Sequence, residues 1–148
     1  MAQALHPYAS PMTFTPTGIY VPIVTPFDEA GQINVEELRS LVGFMLESGV
    51  SGIVAAGTTG EGYSFSFDER RLVLKTIVNC VDGAVPVLAG VGGMSTHEAV
   101  DQAILAKRSG ITGLMLAAPS YCLPTEPELA AHVTHVVNAV ELPTVLYD

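Results

Sequence analysis

The chain repeats one pattern, in which an apolar run is followed by a segment with helical spacing, about once every thirty residues. The apolar runs do not alternate apolar with polar residues, which is typical of strands covered on both faces in a parallel sheet. Five runs fit this description: Gly18–Pro26, Gly52–Gly57, Val85–Val91, Gly113–Pro119 and Pro143–Asp148. The repeat therefore predicts an α/β fold built from consecutive strand–helix units.

The segments between the runs carry signals for helix starts and helix ends. In the first segment, Val35, Leu38, Leu41 and Val42 recur at the spacing of one helix face. A Ser, Thr or Asn stands three residues before a Glu at each predicted start, which is the spacing of a capping box. The pairs are Asn34 with Glu37, Ser66 with Glu69, Ser95 with Glu98, and Thr125 with Glu128, and the predicted stop signals are Gly49, Gly83 and Gly110.

Strand–helix units that repeat in one direction close into a barrel, whereas a reversal gives an open sheet. The first run is followed by TPFDEAGQ and not by a glycine-rich phosphate-binding sequence, which disfavours a dinucleotide-binding sheet. We therefore predict a (β/α)8 TIM barrel, which in complete form has eight strands and about 250 residues. With five predicted strands, residues 18–148 are expected to form a partial barrel truncated to about β1–α4 plus strand β5. Residues 1–17 contain three prolines and are predicted to be an extended or disordered arm.

Composition disfavours several classes of partner. The net charge is −9, from 15 acidic and 6 basic residues, which disfavours nucleic acid and anionic membranes. No apolar run approaches the ~20 residues of a membrane span, and the first residues do not resemble a secretory signal. Cys80 and Cys122 are far apart and suit a reducing cytoplasm. The apolar fraction of 49% indicates either strands buried on both faces or an apolar surface that meets a partner.

Hydroxyl side chains gather at the predicted carboxyl ends of the strands, where barrel enzymes place their active sites. They belong to Thr58, Thr59, Ser120, Tyr121 and Tyr147. In the loop that follows the second run, Gly57 and Gly60 flank the two threonines, and backbone N–H groups with these hydroxyls would suit a carboxylate. The alternatives are an ordinary Gly/Thr turn for this loop and a core tyrosine for Tyr147.

Five stretches of the sequence together resemble dihydrodipicolinate synthase and its relatives in the N-acetylneuraminate lyase superfamily. The resemblance runs from about Thr17 to the last residue and is carried by GIYVPIVTPF, GTTGE, AGVG, APSYCLP and LPTVLYD. It implies a (β/α)8 barrel, usually a tetramer built of dimers, that joins pyruvate to an aldehyde, or reverses that reaction, through a Schiff base on a lysine. It implies no metal and no separate cofactor.

The resemblance also implies roles for individual residues. Thr58 would relay protons between two tyrosines, and Thr59 would hold the pyruvate carboxylate through its hydroxyl and backbone amide, with Gly57 and Gly60 shaping the loop. Tyr147 would donate and accept protons beside the imine. Tyr121 would complete the relay and reach into the neighbouring subunit's site.

Two departures from the family pattern matter. Synthases commonly carry Tyr-Tyr-Asn where this chain has Ser120-Tyr121-Cys122, which keeps the relay tyrosine but loses its aromatic neighbour. The Schiff-base lysine belongs on strand six, beyond Asp148, and the only lysines present, Lys75 and Lys107, fall on predicted outer helices. We therefore expect this 148-residue chain alone to be inactive.

Three functions stay open. The first is the N-terminal part of a pyruvate-dependent lyase that condenses pyruvate with aspartate semialdehyde to give 4-hydroxy-tetrahydrodipicolinate for lysine synthesis. The second is a sibling activity, such as an N-acetylneuraminate lyase or a keto-sugar-acid aldolase or dehydratase. The third is a non-catalytic half-barrel that pairs its open edges with another chain. His132 and His135 are interpreted as surface histidines on an outer helix and not as a metal site.

Overall fold

The computed structural model describes residues 15–147 and contains five strands and four α-helices that alternate along the chain. The strands are β1 (Tyr20–Pro22), β2 (Gly52–Ala55), β3 (Val87–Val91), β4 (Gly113–Ala117) and β5 (Thr144–Tyr147). The helices are α1 (Val35–Glu47), α2 (Phe67–Val81), α3 (Thr96–Arg108) and α4 (Glu126–Val140), and a single 3-10 turn covers Gly62–Ser64.

The strands form one sheet in the order β1-β2-β3-β4-β5, and every neighbouring pair is parallel. This is a half-barrel with its helices outside, so the predicted fold class is confirmed. All described residues of β2 and β3 are buried, as their continuous apolar sequences require. β1 and β5 each pair with a single neighbour among these five strands and are more exposed, because each leaves one edge uncovered.

The core lies between the sheet and the helices. Its largest fully buried side chains come from both layers: Ile53 and Leu114 from strands, and Leu38, Leu74 and Ile77 from helices. Burying such side chains is the main favourable term that holds the helices against the sheet. The helices end as predicted, with Gly49, Gly83 and Gly110 at φ values of 76°, 77° and 88° immediately after their caps.

The helix starts differ in how completely they follow the predicted capping boxes. At α2, the Ser66 hydroxyl accepts from the Glu69 N–H, and the Glu69 carboxylate accepts from the Ser66 N–H at 2.8 Å. At α4, the Glu128 carboxylate accepts from the N–H and the hydroxyl of Thr125. These hydrogen bonds lower the pKa of Glu69 and of Glu128.

The prediction of a capping box is wrong for Ser95 and Glu98. The Ser95 hydroxyl accepts from the Glu98 N–H at 3.1 Å, but the Glu98 carboxylate does not return to Ser95. It accepts instead from the Met94 N–H and from the Gln102 side chain. The predicted box of Asn34 and Glu37 is incomplete in the same way, because the Asn34 side chain accepts from the Glu37 N–H at 3.1 Å but the Asn34 N–H donates to the Pro26 carbonyl. A pair of residues at capping-box spacing therefore forms only half of the box where other groups pair with the carboxylate or with the cap N–H.

Most of the predicted N-terminal arm lies outside the described residues. Residues 15–17 are described, are exposed and belong to no helix or strand. No helix within residues 15–147 is long and apolar enough to cross a membrane. The division of the chain into an arm and a partial barrel stays a prediction.

Candidate active site

The carboxyl ends of the strands form one rim with an open cavity of about 410 Å³. The lining comes from the ends of β2, β3, β4 and β5 and includes Gly57, Thr58, Gly92, Ser120 and Tyr147. The register of the last two strands places Ala117 of β4 beside Tyr147. Residues distant in sequence therefore share a cavity because parallel strands end at the same edge.

The loop that follows β2 is held in a tight, partly left-handed conformation. Ala56 and Glu61 both have positive φ, at 52° and 57°, although neither is glycine. The Glu61 N–H donates to the Thr58 carbonyl at 3.0 Å, and the Gly62 N–H donates to the Gly57 carbonyl at 3.0 Å. Two non-glycine residues in the left-handed region indicate backbone strain that the surrounding structure sustains.

This conformation leaves polar groups at the tip of the loop without protein partners. Within residues 15–147, the backbone N–H groups of Thr58, Thr59 and Gly60 donate to no acceptor, and the two threonine hydroxyls are unpaired. Thr58 and Thr59 are exposed, so their N–H and hydroxyl groups are open to solvent or to a ligand, whereas Gly60 is buried. Two consecutive exposed N–H groups with two hydroxyls suit an anion such as a carboxylate.

Two buried side chains brace the loop from beneath. The Thr25 hydroxyl, at the end of the β1 segment, donates to the Gly60 carbonyl at 2.8 Å. Arg70 of α2 is 5% exposed and donates to the Gly62 carbonyl at 2.7 Å and to the Gly90 carbonyl at 2.8 Å. Burial lowers the pKa of Arg70 to about 10, and the charge of Glu98 partly opposes that shift.

Sequence reasoning did not single out Thr25 or Arg70 as functional. The signal for Arg70 is its register, because it lies three, four and seven residues before Val73, Leu74 and Ile77 on the buried face of α2. A charged residue on an apolar helix face needs a partner inside the fold. That partner is the backbone of the rim.

The structure brings together only some of the six predicted site residues. Gly57, Thr58 and Tyr147 line the cavity, and the Tyr147 side chain is exposed at the end of β5. Thr59 and Gly60 belong to the same loop but do not line the cavity: Thr59 is exposed, and Gly60 is buried against Ile23 and Thr25.

Tyr121 also lies outside the cavity lining. It follows β4 on the same rim, with a fully exposed side chain and a φ of 70°. Neighbouring Cys122 is exposed, and its thiol donates to the Ser120 carbonyl at 3.6 Å. An exposed aromatic side chain on a left-handed residue is uncommon, and nothing within residues 15–147 holds the ring in place.

The interpretation of His132 as a surface residue is wrong. His132 is 5% exposed, its Nδ1 lies 2.9 Å from the Thr96 hydroxyl, and its Nε2 is buried without a hydrogen-bond partner in the described part of the chain. Burial lowers its pKa. His135 is exposed as predicted. Among residues 15–147, no group of three or more His, Cys, Asp or Glu side chains is placed to hold a metal ion.

The parallel half-barrel and its rim define the chain as part of a (β/α)8-barrel protein. The chain belongs to the dihydrodipicolinate synthetase family, whose family model matches residues 15–148. That family consists of lyases of the aldolase type.

Individual relatives agree with this assignment. The chain is 42% identical over 131 residues to a 4-hydroxy-tetrahydrodipicolinate synthase from Nitrosospira multiformis, a match that covers 88% of this chain and 44% of that protein. It is 38% identical to the chloride-inhibited dihydrodipicolinate synthase of Acinetobacter baumannii, whose structure was solved with pyruvate, with a TM-score of 0.88 over 90% of this chain and 46% of that one.

A more distant structure has a different name. CdNal from Clostridium difficile, solved in complex with mannosamine, is 25% identical to this chain, with a TM-score of 0.85 over 90% of this chain and 47% of that one. The chain thus spans about half the length of the relatives it matches.

Proposed function

We propose that this chain supplies the pyruvate-binding half of a Schiff-base lyase that condenses pyruvate with aspartate semialdehyde, as a 4-hydroxy-tetrahydrodipicolinate synthase. The observation that carries the proposal is the cavity shared by Thr58 and Tyr147 at the carboxyl ends of β2 and β5. Around it stand unpaired hydroxyl and N–H groups, which such a reaction needs in order to bind an anion and move protons.

The loop is proposed to bind the carboxylate of pyruvate. Charge-assisted hydrogen bonds from backbone N–H groups to a carboxylate are short and strong, and the N–H groups of the exposed Thr58 and Thr59 have no partner within residues 15–147. The Thr59 hydroxyl adds one more donor. Because hydrogen bonds from Thr25 and Arg70 already hold the loop, little conformational entropy is lost when the anion binds.

Tyr147 is proposed to transfer protons beside the imine. Forming and dehydrating a carbinolamine requires a proton to move to and from an oxygen close to the attacking amine. A phenol with an ordinary pKa of about 10 donates readily to a developing alkoxide but poorly to water. Thr58, which lines the same cavity, would relay the proton onward.

Tyr121 is proposed to complete the relay in a neighbouring subunit of a homo-oligomer. Its side chain is fully exposed and makes no hydrogen bond within residues 15–147, so it is free to meet a second copy of the chain. A contact with the neighbour would supply the packing that the isolated chain does not provide.

The reacting amine is proposed to come from outside these 148 residues. The two lysines, Lys75 and Lys107, are exposed on α2 and α3, and Lys107 donates to the Val140 carbonyl at 2.7 Å. Neither residue lines the cavity. Without an amine no imine forms, so the 148-residue chain alone is expected to have no aldol or lyase activity.

Complementation with the rest of a barrel tests this proposal. The chain is co-expressed with the segment of the Nitrosospira multiformis relative that follows the matched region, and pyruvate and borohydride are added to the purified pair. We expect mass spectrometry to find a trapped pyruvate adduct on the added segment only. An adduct on the 148-residue chain alone would contradict the assignment of the amine.

The variant Tyr147→Phe in the same pair tests the proton-transfer role. Loss of a general acid–base group typically lowers turnover by about 10²–10⁴-fold, and we expect a loss in that range. Tyr63→Phe is the matched control, because Tyr63 lines the same cavity but has no proposed proton role. Equal turnover in the wild type and the Tyr147→Phe pair would rule out proton transfer by Tyr147.

A second candidate function is a sugar-acid lyase or aldolase of the N-acetylneuraminate lyase type. It is favoured by Ser120, which lines the cavity and stands where synthases commonly carry an aromatic residue. A small hydroxyl side chain at this position leaves room for a polyhydroxylated substrate. The assembled pair is assayed with pyruvate and either aspartate semialdehyde or N-acetylmannosamine. A kcat/KM that is larger for the sugar would select this second function.

A further inference from the structure

Arg70 is the one basic side chain of α2 that points into the fold. The neighbouring Arg71 is half exposed and pairs with Asp68 at 2.8 Å on the helix surface, whereas Arg70 is 5% exposed. A buried guanidinium is costly unless its donors are satisfied, and both acceptors of the Arg70 guanidinium within residues 15–147 are backbone carbonyls. The Arg70 side chain therefore donates its hydrogen bonds to the main chain at the rim.

The first of these bonds fixes the far end of the loop. Arg70 Nη2 donates to the Gly62 carbonyl at 2.7 Å, while the Gly62 N–H donates to the Gly57 carbonyl. A Cβ at Gly62 would lie 2.0 Å from the Ala56 carbonyl oxygen, so the two ends of the loop are already in close contact. Holding Gly62 thus also sets the position of Gly57, where the loop begins.

The second bond fixes the loop relative to β3. Arg70 Nη1 donates to the Gly90 carbonyl at 2.8 Å, and a Cβ at Gly90 would lie 2.4 Å from the Gly57 Cα. One guanidinium therefore spans both segments that meet at this point. Its flat fork of donors serves two carbonyls at once, which the single ammonium of a lysine does less well.

An acidic side chain, that of Glu98, also interacts with Arg70. Glu98 of α3 interacts electrostatically with Arg70, and its carboxylate accepts from the Met94 N–H at 3.1 Å. Glu98 also accepts from the side chain of Gln102, whose own carbonyl oxygen accepts from the Gly92 N–H at 3.1 Å. The polar contacts that begin at Arg70 thus continue along the loop after β3.

We propose that Arg70 is a positioning residue, which holds the Gly57–Gly62 loop in the geometry that presents its free N–H groups to the substrate carboxylate. The proposal rests on the proposed function for the identity of that carboxylate. Arg70 is itself among the residues that line the cavity, but it is buried and its two hydrogen bonds go to the carbonyls of Gly62 and Gly90, so the proposed effect passes through the backbone.

Hydrogen exchange on the 148-residue chain tests the effect on the loop. Arg70→Met removes both hydrogen bonds, Arg70→Lys keeps the charge, and Arg71→Met is the matched control on the helix surface. We expect the amides of Glu61 and Gly62 to exchange at least about tenfold faster in Arg70→Met, with an intermediate change in Arg70→Lys. The amide of Leu114, which donates to the Pro143 carbonyl in the β4–β5 pair, should change less than about twofold.

Kinetics of the assembled pair test the consequence for binding. We expect the KM for pyruvate to rise about tenfold in Arg70→Met, while the KM for the aldehyde and all constants of Arg71→Met change less than about twofold. A uniform rise in exchange at Leu114 and Gly62, or equal shifts in both KM values, would show that Arg70 only stabilises the fold. If Arg70→Met does not fold, the same comparison in Arg70→Lys decides.

The two proposals fail in different ways. If the wild-type pair binds no pyruvate but exchange still rises selectively at Glu61 and Gly62, the proposed function is wrong while the control of the loop by Arg70 stands. If pyruvate binds normally and Arg70→Met alters neither exchange at the loop nor the pyruvate KM, the role of Arg70 is overturned.

Discussion

Gly90 is the position where one added methyl group should reveal how closely β3 and the β2 loop approach. A Cβ there would stand 2.4 Å from the Gly57 Cα and 2.8 Å from both the Ala56 carbonyl oxygen and the Gly57 nitrogen. Non-bonded carbon atoms prefer separations of about 3.5–4.0 Å. All three neighbours are backbone atoms, so no side-chain rotation relieves the overlap and the loop or the strand must move by about 1 Å.

The size of the effect follows from these contacts. Overpacking a buried site costs about 1–3 kcal/mol, and the rigid surroundings place Gly90→Ala at the upper end, about 3 kcal/mol. Alanine restricts the unfolded chain more than glycine does, which offsets about 0.4–1 kcal/mol. The net loss in the free energy of unfolding is about 2 kcal/mol. At about 2–4 °C per kcal/mol for a domain of this size, Tm should fall by about 4–8 °C.

Urea denaturation followed by circular dichroism measures the loss, with the m-value as a check that the extent of unfolding is unchanged. Gly43→Ala is the matched control, because Gly43 lies inside α1 and an added Cβ would meet no side chain and no other segment of residues 15–147 within 4 Å. The same chemical change should there stabilise the chain by about 0.5–1 kcal/mol. If the free energy of unfolding of Gly90→Ala lies within about 0.5 kcal/mol of the wild-type value, the close approach of β3 and the β2 loop is refuted.

Two further predictions concern the helices. Burial lowers the pKa of His132 below its ordinary 6.5, so the folded chain favours the neutral ring; the resulting stability is complete above pH 6.5 and is lost as pH falls below it. The urea midpoint should therefore decline as the pH falls from 7 to about 5.5. The decline should be shallower in His132→Gln and as steep as in the wild type in His135→Gln, and an identical decline in all three chains would exclude His132 as the cause. Ser66→Ala removes the cap of α2 and should lower the free energy of unfolding by about 1 kcal/mol. The control Ser40→Ala, inside α1, should change it by less than about 0.5 kcal/mol, and equal losses in the two variants would contradict a capping role.

The order and type of the elements could be predicted because the apolar residues of each strand indicate how far that strand is buried. The run at Val85–Val91 has no polar face, and β3 (Val87–Val91) is buried at every position. The prediction was least accurate for the first strand, since β1 at the edge of the sheet includes only Tyr20–Pro22 of the run Gly18–Pro26. The strand preference of a local sequence does not show whether the strand has one neighbour or two in the sheet.

Side-chain environments were harder to predict because residue type and helix register can disagree. His132 was interpreted as a surface residue from its chemistry, yet Val136 and Val140 follow it at intervals of four residues and all three are buried on one face of α4. The register carried the correct information, since a helical residue in line with buried valines shares their environment. The Thr96 hydroxyl that pairs with His132 lies at the start of another helix, and no local pattern indicates that contact.

The tip of the candidate site could be located from the sequence, whereas the residues that support it could not. Thr58 and Thr59 follow an apolar run, and the rule that barrel sites lie at carboxyl strand ends is enough to place them. Arg70 acts on Gly62 and Gly90, which are separated from it by 8 and 20 residues, through carbonyls whose directions depend on loop conformations with positive φ at Ala56. An exposed loop that must offer free N–H groups to a ligand cannot use those groups to hold its own shape. Its shape has to be held through its carbonyls instead, and a buried cation from the surrounding helix layer is well suited to that, because the Arg70 guanidinium donates both to a loop carbonyl, at Gly62, and to a β3 carbonyl, at Gly90.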